Sequence, residues 1–134
     1  MFFGARKLFI DSKLHIDLAG SEVSFTLKVS ELFESWLFIG PHPDDVELGC
    51  GGTIAKYLNN KVKMHYVIVS PATEDPKNKN IISEMKQSAQ ILGLNLNNIT
   101  VLNFPRRVLH EHRADIRFKL IEIVKKIDPD VIFT

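Results

Sequence analysis

The period of the hydrophobic pattern switches back and forth along this chain, and the switching predicts an α/β fold. Ser35–Ile39 carries an unbroken apolar run rather than an alternating one, as a strand buried on both faces does. Gly40 and Pro41 end it. Leu48–Asn60 then reads as a helix, with Ile54, Leu58 and Tyr57 on its apolar face and Asn59-Asn60 at its C-terminal end. Lys63–Val69 is a second strand, β-branched toward its end. Ile81–Leu92 is a helix with Ile82, Met85, Ala89 and Leu92 at helical spacing, and Gly93 is placed to be the left-handed residue that stops it. Ile99–Phe104 is a third strand. Arg113–Ile127 is a long helix expected to turn Ile116, Leu120, Ile123, Val124 and Ile127 to the core. Asp128-Pro129-Asp130 is a turn, and Val131-Ile132-Phe133 opens a fourth strand.

The crossovers are long enough for parallel pairing. The expected fold is therefore a Rossmann-like three-layer αβα domain with a mostly parallel sheet, incomplete at the C-terminus. A strand order of 3-2-1-4 is usual for such sheets, and it sets the first and fourth strands at the switch point where ligands bind. Residues 1–34 are less legible. Leu14–Leu18 and Ser24–Val29 read as short strands around an Ala19-Gly20-Ser21 turn, Lys7–Ile10 is a short apolar-polar mixture, and the whole is expected as an N-terminal hairpin or edge segment.

Length and composition add bounds. The 134 residues make one domain at most, and a formal charge of +1 with no Lys/Arg block gives no general argument for nucleic acid. No apolar run approaches the roughly 18 residues of a membrane span. No signal-peptide pattern is present at the N-terminus, and the single cysteine, Cys50, cannot form an internal disulfide. These features predict a cytoplasmic protein, and homo-oligomerisation is compatible with them.

Candidate chemistry concentrates after the first core strand. His42, Asp44 and Asp45 sit in a turn, followed by Gly49, Gly51 and Gly52. Imidazole and carboxylate suit zinc and other borderline divalent metals. His42 and Asp45, three apart in a tight turn, can converge on one ion. Asp44 then stands beside the ion, where it can take a proton from an acidified water. Pro43 stiffens the turn, and the glycines are expected to let the backbone pass close to ion or substrate. The same residues also read as a surface turn whose Asp side chains cap a helix. Residue types alone leave both readings open, and the position behind a buried strand favours the site. Glu47 is a candidate for orienting His42 or the turn backbone, or a first-turn acid favoured by the helix dipole. His110 and His112 are expected as exposed loop residues, His65 and Trp36 as structural, and Cys50 as packing.

The run from Pro41 to Thr53, Pro-His-Pro-Asp-Asp-Val-Glu-Leu-Gly-Cys-Gly-Gly-Thr, closely resembles the signature of the PIG-L/LmbE-like family of zinc-dependent N-deacetylases. The likeness continues through Glu84, Ser88-Ala89 and Leu92-Gly93, and through Asp128–Phe133. It implies a hydrolase that removes an acetyl group from an amino sugar or a related small amide. It implies His42 and Asp45 as ligands of Zn2+ or another divalent metal and Asp44 as general base. The third ligand of the family, a His after the fourth strand, is expected beyond Thr134, so the resemblance implies a truncated chain, inactive in isolation. Two positions depart from the family pattern. Ile81 stands where many members carry Arg, and Arg106-Arg107 where many carry Asp. The segment from Phe104 to Arg113 resembles a bacterial subgroup associated with sugar nucleotides. An Arg pair on the active rim suits an anion, so Arg107 and Arg113 are candidate contacts to an anionic or sugar-nucleotide-like substrate. A metal-free nucleotide- or sugar-binding module is the competing reading, although Gly49–Gly52 do not form the dinucleotide fingerprint. An inactive fragment that assembles with a partner is a third.

Overall fold

The structure is a computed structural model that describes residues 12–18, 21–27 and 33–134. Two strands, β1 (Ser12–Leu18) and β2 (Ser21–Leu27), pair antiparallel in register from Ser12↔Leu27 to Leu18↔Ser21. The N-terminal hairpin is thus present. Its second strand starts at Ser21, three residues before the alternating pattern suggested. The Lys7–Ile10 segment lies outside the described residues.

The main body follows the predicted alternation: β3 (Ser35–Gly40), α1 (Asp45–Tyr57), β4 (Lys63–Ile68), α2 (Ile81–Ile91), β5 (Ile99–Val101), α3 (Arg113–Ile127) and β6 (Val131–Phe133). The sheet order is β5-β4-β3-β6, and every pairing in it is parallel. This is the 3-2-1-4 order, and it fixes the fold as α/β. Both crossovers from β3 to β5 move the chain one way across the sheet, and the crossover through α3 moves it back. Right-handed connections then put α1 and α2 on one face and α3 on the other.

The core is densest under α1 and α2. Trp36, Phe38, Met64, Tyr66 and Ile68 from the strands pack with Val46 and Ile54 of α1 and Met85 and Ala89 of α2. Leu37 and Val67 point to the opposite face and are also fully buried. The uniformly apolar strands reflect this two-sided burial. The α3 layer differs from expectation. Ile116, Leu120, Ile123, Val124 and Ile127 are only half-buried, no residue of α3 is fully buried, and Phe118 is exposed. Helical spacing identified the apolar stripe correctly, but spacing carries no information about how completely a neighbour covers it.

Local chemistry explains several boundaries. Helix α2 stops in a Schellman motif: Leu94 N–H donates to the Ala89 carbonyl and Gly93 N–H to the Gln90 carbonyl, each at 2.9 Å. Gly93 has φ of 87°, and a Cβ there would lie 2.3 Å from Leu58 Cδ2, so the position demands glycine. Asp130 fastens β6 to the sheet. Its carboxylate accepts from the N–H groups of Glu34 and Ser35 at 2.8 and 2.9 Å, and its own N–H donates to the Ser35 carbonyl at 2.8 Å. Strand β5 ends at Val101 rather than Phe104. Leu102 and Phe104 still donate to the Ile68 and Val69 carbonyls, so the third strand leaves the sheet gradually as Pro105 approaches.

Candidate active site

The turn at the carboxyl end of β3 hangs from β4. Val69 N–H donates to the Gly40 carbonyl at 3.0 Å and Ser70 N–H to the Pro41 carbonyl at 2.9 Å. The parallel ladder therefore runs past the last strand residue and holds the start of the His-Asp-Asp turn. Gly40 is where the turn folds back closest. A Cβ there would lie 3.0 Å from Val46 Cγ2, 3.3 Å from the His42 carbonyl oxygen and 3.4 Å from Asp45 Cβ. Glycine is thus favoured by close approach at Gly40, where a side chain would push on the buried Val46. Gly49, Gly51 and Gly52, expected to serve that purpose, do not: a methyl group at any of the three would meet nothing within 4 Å. They fall inside α1, which begins at Asp45 and not at Leu48, and ends at Tyr57 with a 3-10 turn over Leu58–Asn60.

A pair of substitutions checks this. Gly40→Ala is expected to cost about 1–3 kcal/mol by overpacking and to displace Asp45. Gly52→Ala, in an exposed helix interior, is expected to stabilise by about 0.5–1 kcal/mol. Urea unfolding of the two variants gives both signs.

The earlier start of α1 puts Asp45 at its first position. Its Oδ2 accepts from His42 N–H at 2.8 Å and lies 3.3 Å from His42 Nδ1. Asp44 is the N-cap residue, yet its side chain makes no capping hydrogen bond. Its carboxylate is exposed. The helix-cap reading of the aspartates thus loses its main support, because the capping interaction is not made.

Zinc binds nitrogen and oxygen donors at roughly 2.0–2.2 Å, so two tetrahedral neighbours lie about 3.3–3.6 Å apart. The separation of His42 Nδ1 and Asp45 Oδ2 falls in that range. His42 Nε2 is buried with no hydrogen-bond partner, as is Glu47 Oε1. Buried polar atoms are satisfied in nearly all native structures, and orphans call for an ion or water. The spacing of Nδ1 and Oδ2 therefore fits a divalent cation, while the orphaned Nε2 lies on the other edge of the ring and is no donor to that same point. Among the described residues no third His, Cys, Asp or Glu joins the pair, whereas a catalytic zinc ordinarily has three protein ligands.

Glu47 lies in the first turn of α1, as the helix-dipole reading expects, and does not orient His42 directly. It makes no hydrogen bond to His42. Its Oε2 instead accepts from the Tyr66 hydroxyl at 2.5 Å, because the first turn of α1 faces the sheet at that point. Burial pushes the Glu47 carboxyl above its ordinary value against the opposing effect of the Tyr66 hydrogen bond, and Asp44 and Asp45 add to the rise. Tyr66 is a site residue that sequence reading passed over. Its signal was a phenol in a strand otherwise apolar at that end, since a buried Tyr hydroxyl normally has a polar partner.

The other candidates separate. Arg107 lines a cleft of about 290 Å³ on the same rim, with Ala72, Glu74, Asp75, Pro76 and Arg106. Glu74 Oε1 accepts from Arg106 N–H at 2.7 Å and joins the two rim loops. Arg113 is exposed at the first position of α3 and does not line this cleft. His110 is exposed as expected. His112 is half-buried, its ring 5.8 Å from that of Phe104. Cys50 is half-buried against the core, and burial pushes its thiol up, as packing predicts and reactivity does not.

A parallel α/β sheet with a His-Asp-Asp turn at its switch point defines a ligand-binding class of domain. The sequence pattern of the PIG-L family, GlcNAc-PI de-N-acetylase, matches residues 37–134, and the chain belongs to that family. It is 27% identical over 117 residues to the diacetylchitobiose deacetylase of Thermococcus kodakarensis, covering 78% of this chain and 43% of that protein. It is 31% identical over 94 residues to the uncharacterized deacetylase YaiS of Escherichia coli, covering 69% and 50%. Among solved structures it resembles the N,N'-diacetylchitobiose deacetylase of Pyrococcus horikoshii complexed with its inhibitor MPG, with TM-score 0.67 and 31% identity over 78% of this chain and 42% of that one. It also resembles the conserved protein TT1542 of Thermus thermophilus, with TM-score 0.61 and 28% identity over 76% and 46%. The chain spans about half the length of the curated relatives it matches.

Proposed function

We propose that this chain supplies the metal-binding and proton-transfer turn of an N-deacetylase acting on an N-acetylated amino sugar or a related small amide. The observation that carries the reading is the 3.3 Å approach of His42 Nδ1 to Asp45 Oδ2 beside an uncapped Asp44. His42 and Asp45 would hold the cation, for which zinc is the first choice by donor type. A cation there supplies Lewis acidity toward an acetyl carbonyl and a water. Asp44, exposed and free of a capping role, takes a proton from the attacking water and returns it to the departing amine. Deacetylases among its relatives support the reaction class.

Arg107 is proposed to contact an anionic group of the substrate from the rim cleft, by charge-assisted hydrogen bonds. Arg113 is proposed as a more distant basic contact at the start of α3. No helix among the described residues is long and apolar enough to cross a membrane. A single free cysteine fits a reducing compartment, and the cytoplasm is the proposed location.

Zinc titration followed by calorimetry tests the reading. Binding is expected, and it should fall at least about 100-fold in His42→Ala and Asp45→Ala, beyond the 10–100-fold typical of outer-sphere partners. Nucleotide binding with no metal dependence would favour the competing module instead. For the cleft, Arg107→Ala should weaken affinity for a phosphorylated amino sugar, and unchanged affinity would remove Arg107 from the site.

A further inference from the structure

We infer that Tyr66, on the strand next to the site, is a positioning residue that holds the His-Asp-Asp turn from beneath through its hydrogen bond to Glu47. The inference rests on the assignment of His42 and Asp45 as the cation ligands and adds to it the element that holds them in place.

The Tyr66 hydroxyl touches the turn on both sides of the Asp44-Asp45 pair. It donates to Glu47 Oε2 at 2.5 Å, and its oxygen lies 3.3 Å from the Pro43 carbonyl oxygen. The shorter contact is at the strong end for a hydroxyl and a carboxylate. The ring beneath is almost wholly buried, with 1% of the residue exposed, and Tyr66 pairs in register with Phe38 of β3. The hydroxyl is therefore held rigidly where it emerges. Burial, followed by the Glu47 hydrogen bond, holds the phenol far above its ordinary value, so it stays a donor.

The remaining attachments of the turn come from the same stretch of chain. Val69 and Ser70 N–H groups hold Gly40 and Pro41. Three points along residues 40–47 are thus hydrogen-bonded to residues 66–70, two by backbone and one by the phenol, with the Pro43 carbonyl in contact with the same hydroxyl. The backbone ties precede His42. The phenol governs the part that follows it, where Asp44 and Asp45 leave the turn and enter α1. A pair of donors 3.3 Å apart needs that part fixed, because a small shift of the first helical turn separates Asp45 from His42. Outer partners that orient metal ligands ordinarily change affinity about 10–100-fold when removed.

The test uses zinc titrated by calorimetry and cobalt(II) followed by its visible absorption, each on the 134-residue chain. Tyr66→Phe keeps the ring and deletes the hydroxyl. It is expected to weaken zinc binding about 10–100-fold and to change the cobalt(II) spectrum, with helical circular dichroism retained. Glu47→Ala should reproduce the loss, and Glu47→Gln, which keeps an acceptor for the phenol, should restore most of the affinity. The Tyr66→Phe/Glu47→Ala double variant should be little worse than either single one, as expected for one unit. Wild-type affinity and an unchanged spectrum in both Tyr66→Phe and Glu47→Ala would overturn the inference. Loss in Asp45→Ala alongside that result would leave the ligand assignment standing. Unchanged binding in Asp45→Ala and His42→Ala would sink the assignment itself. Should Tyr66→Phe fail to fold, the contrast between Glu47→Ala and Glu47→Gln decides the matter.

Discussion

On the proposed function, and in a protein that completes this metal site, Asp44→Asn is expected to keep zinc binding and lose deacetylation by about 10²–10⁴-fold, the usual contribution of a positioned general base. The substitution isolates proton transfer from everything else Asp44 could do. Asn matches Asp in shape and is an equally good N-cap, and the native side chain makes no capping hydrogen bond to lose. The carboxylate is exposed, so no buried partner is orphaned. What disappears is only the basic oxygen. Asp45→Ala gives the opposite pattern, since Asp45 Oδ2 is tied to both His42 N–H and His42 Nδ1, and zinc binding itself should fall. Turnover of an N-acetylated amino sugar, measured beside zinc affinity for both variants, separates the roles. Equal loss of zinc binding in Asp44→Asn and Asp45→Ala would contradict the division of labour.

Trp36→Ala should be the most destabilising single change in the described core, at about 3–5 kcal/mol. That is a large share of the roughly 5–15 kcal/mol that holds an ordinary domain folded. Trp36 is 2% exposed and joins three elements. Its ring centroid lies 6.4 Å from Phe38 on its own strand, 5.0 Å from Tyr57 at the end of α1, and 5.4 Å from Phe133 on β6. Its indole N–H donates to the Phe33 carbonyl at 2.9 Å. Trp36→Phe should retain part of the packing and cost less, with the Phe33 carbonyl left to find another donor. Urea denaturation should show a lower midpoint with the slope unchanged. A midpoint shift no larger for Ala than for Phe would mean that the aromatic cluster does not join the elements as described.

The legibility of this protein followed the range of the interactions involved. The parallel order was readable because unbroken apolar strands and intervening helices leave few topologies. Gly93 was readable as a helix stop because a left-handed residue is a local requirement, and φ of 87° bears it out. The start of α1 was missed by three residues. Asp44, Asp45 and Glu47 look like loop residues in a hydropathy pattern, yet acids in a first helical turn are favoured by the helix dipole. The glycines after the turn were over-read, since a glycine in sequence says nothing about what lies beside it, and only Gly40 is crowded at the site.

By itself the sequence determined the α/β alternation and the turn carrying His42, Asp44 and Asp45. Each depends on residues close together in the chain, where periodicity and side-chain chemistry act directly. The tertiary structure alone decided that Tyr66 bonds Glu47, that Arg107 shares a cleft with Glu74 and Asp75, and that α3 lies only half-buried. Those outcomes join residues distant in the chain or depend on what covers a helix. Such contacts are chosen by the packing of the sheet, and no local pattern encodes them.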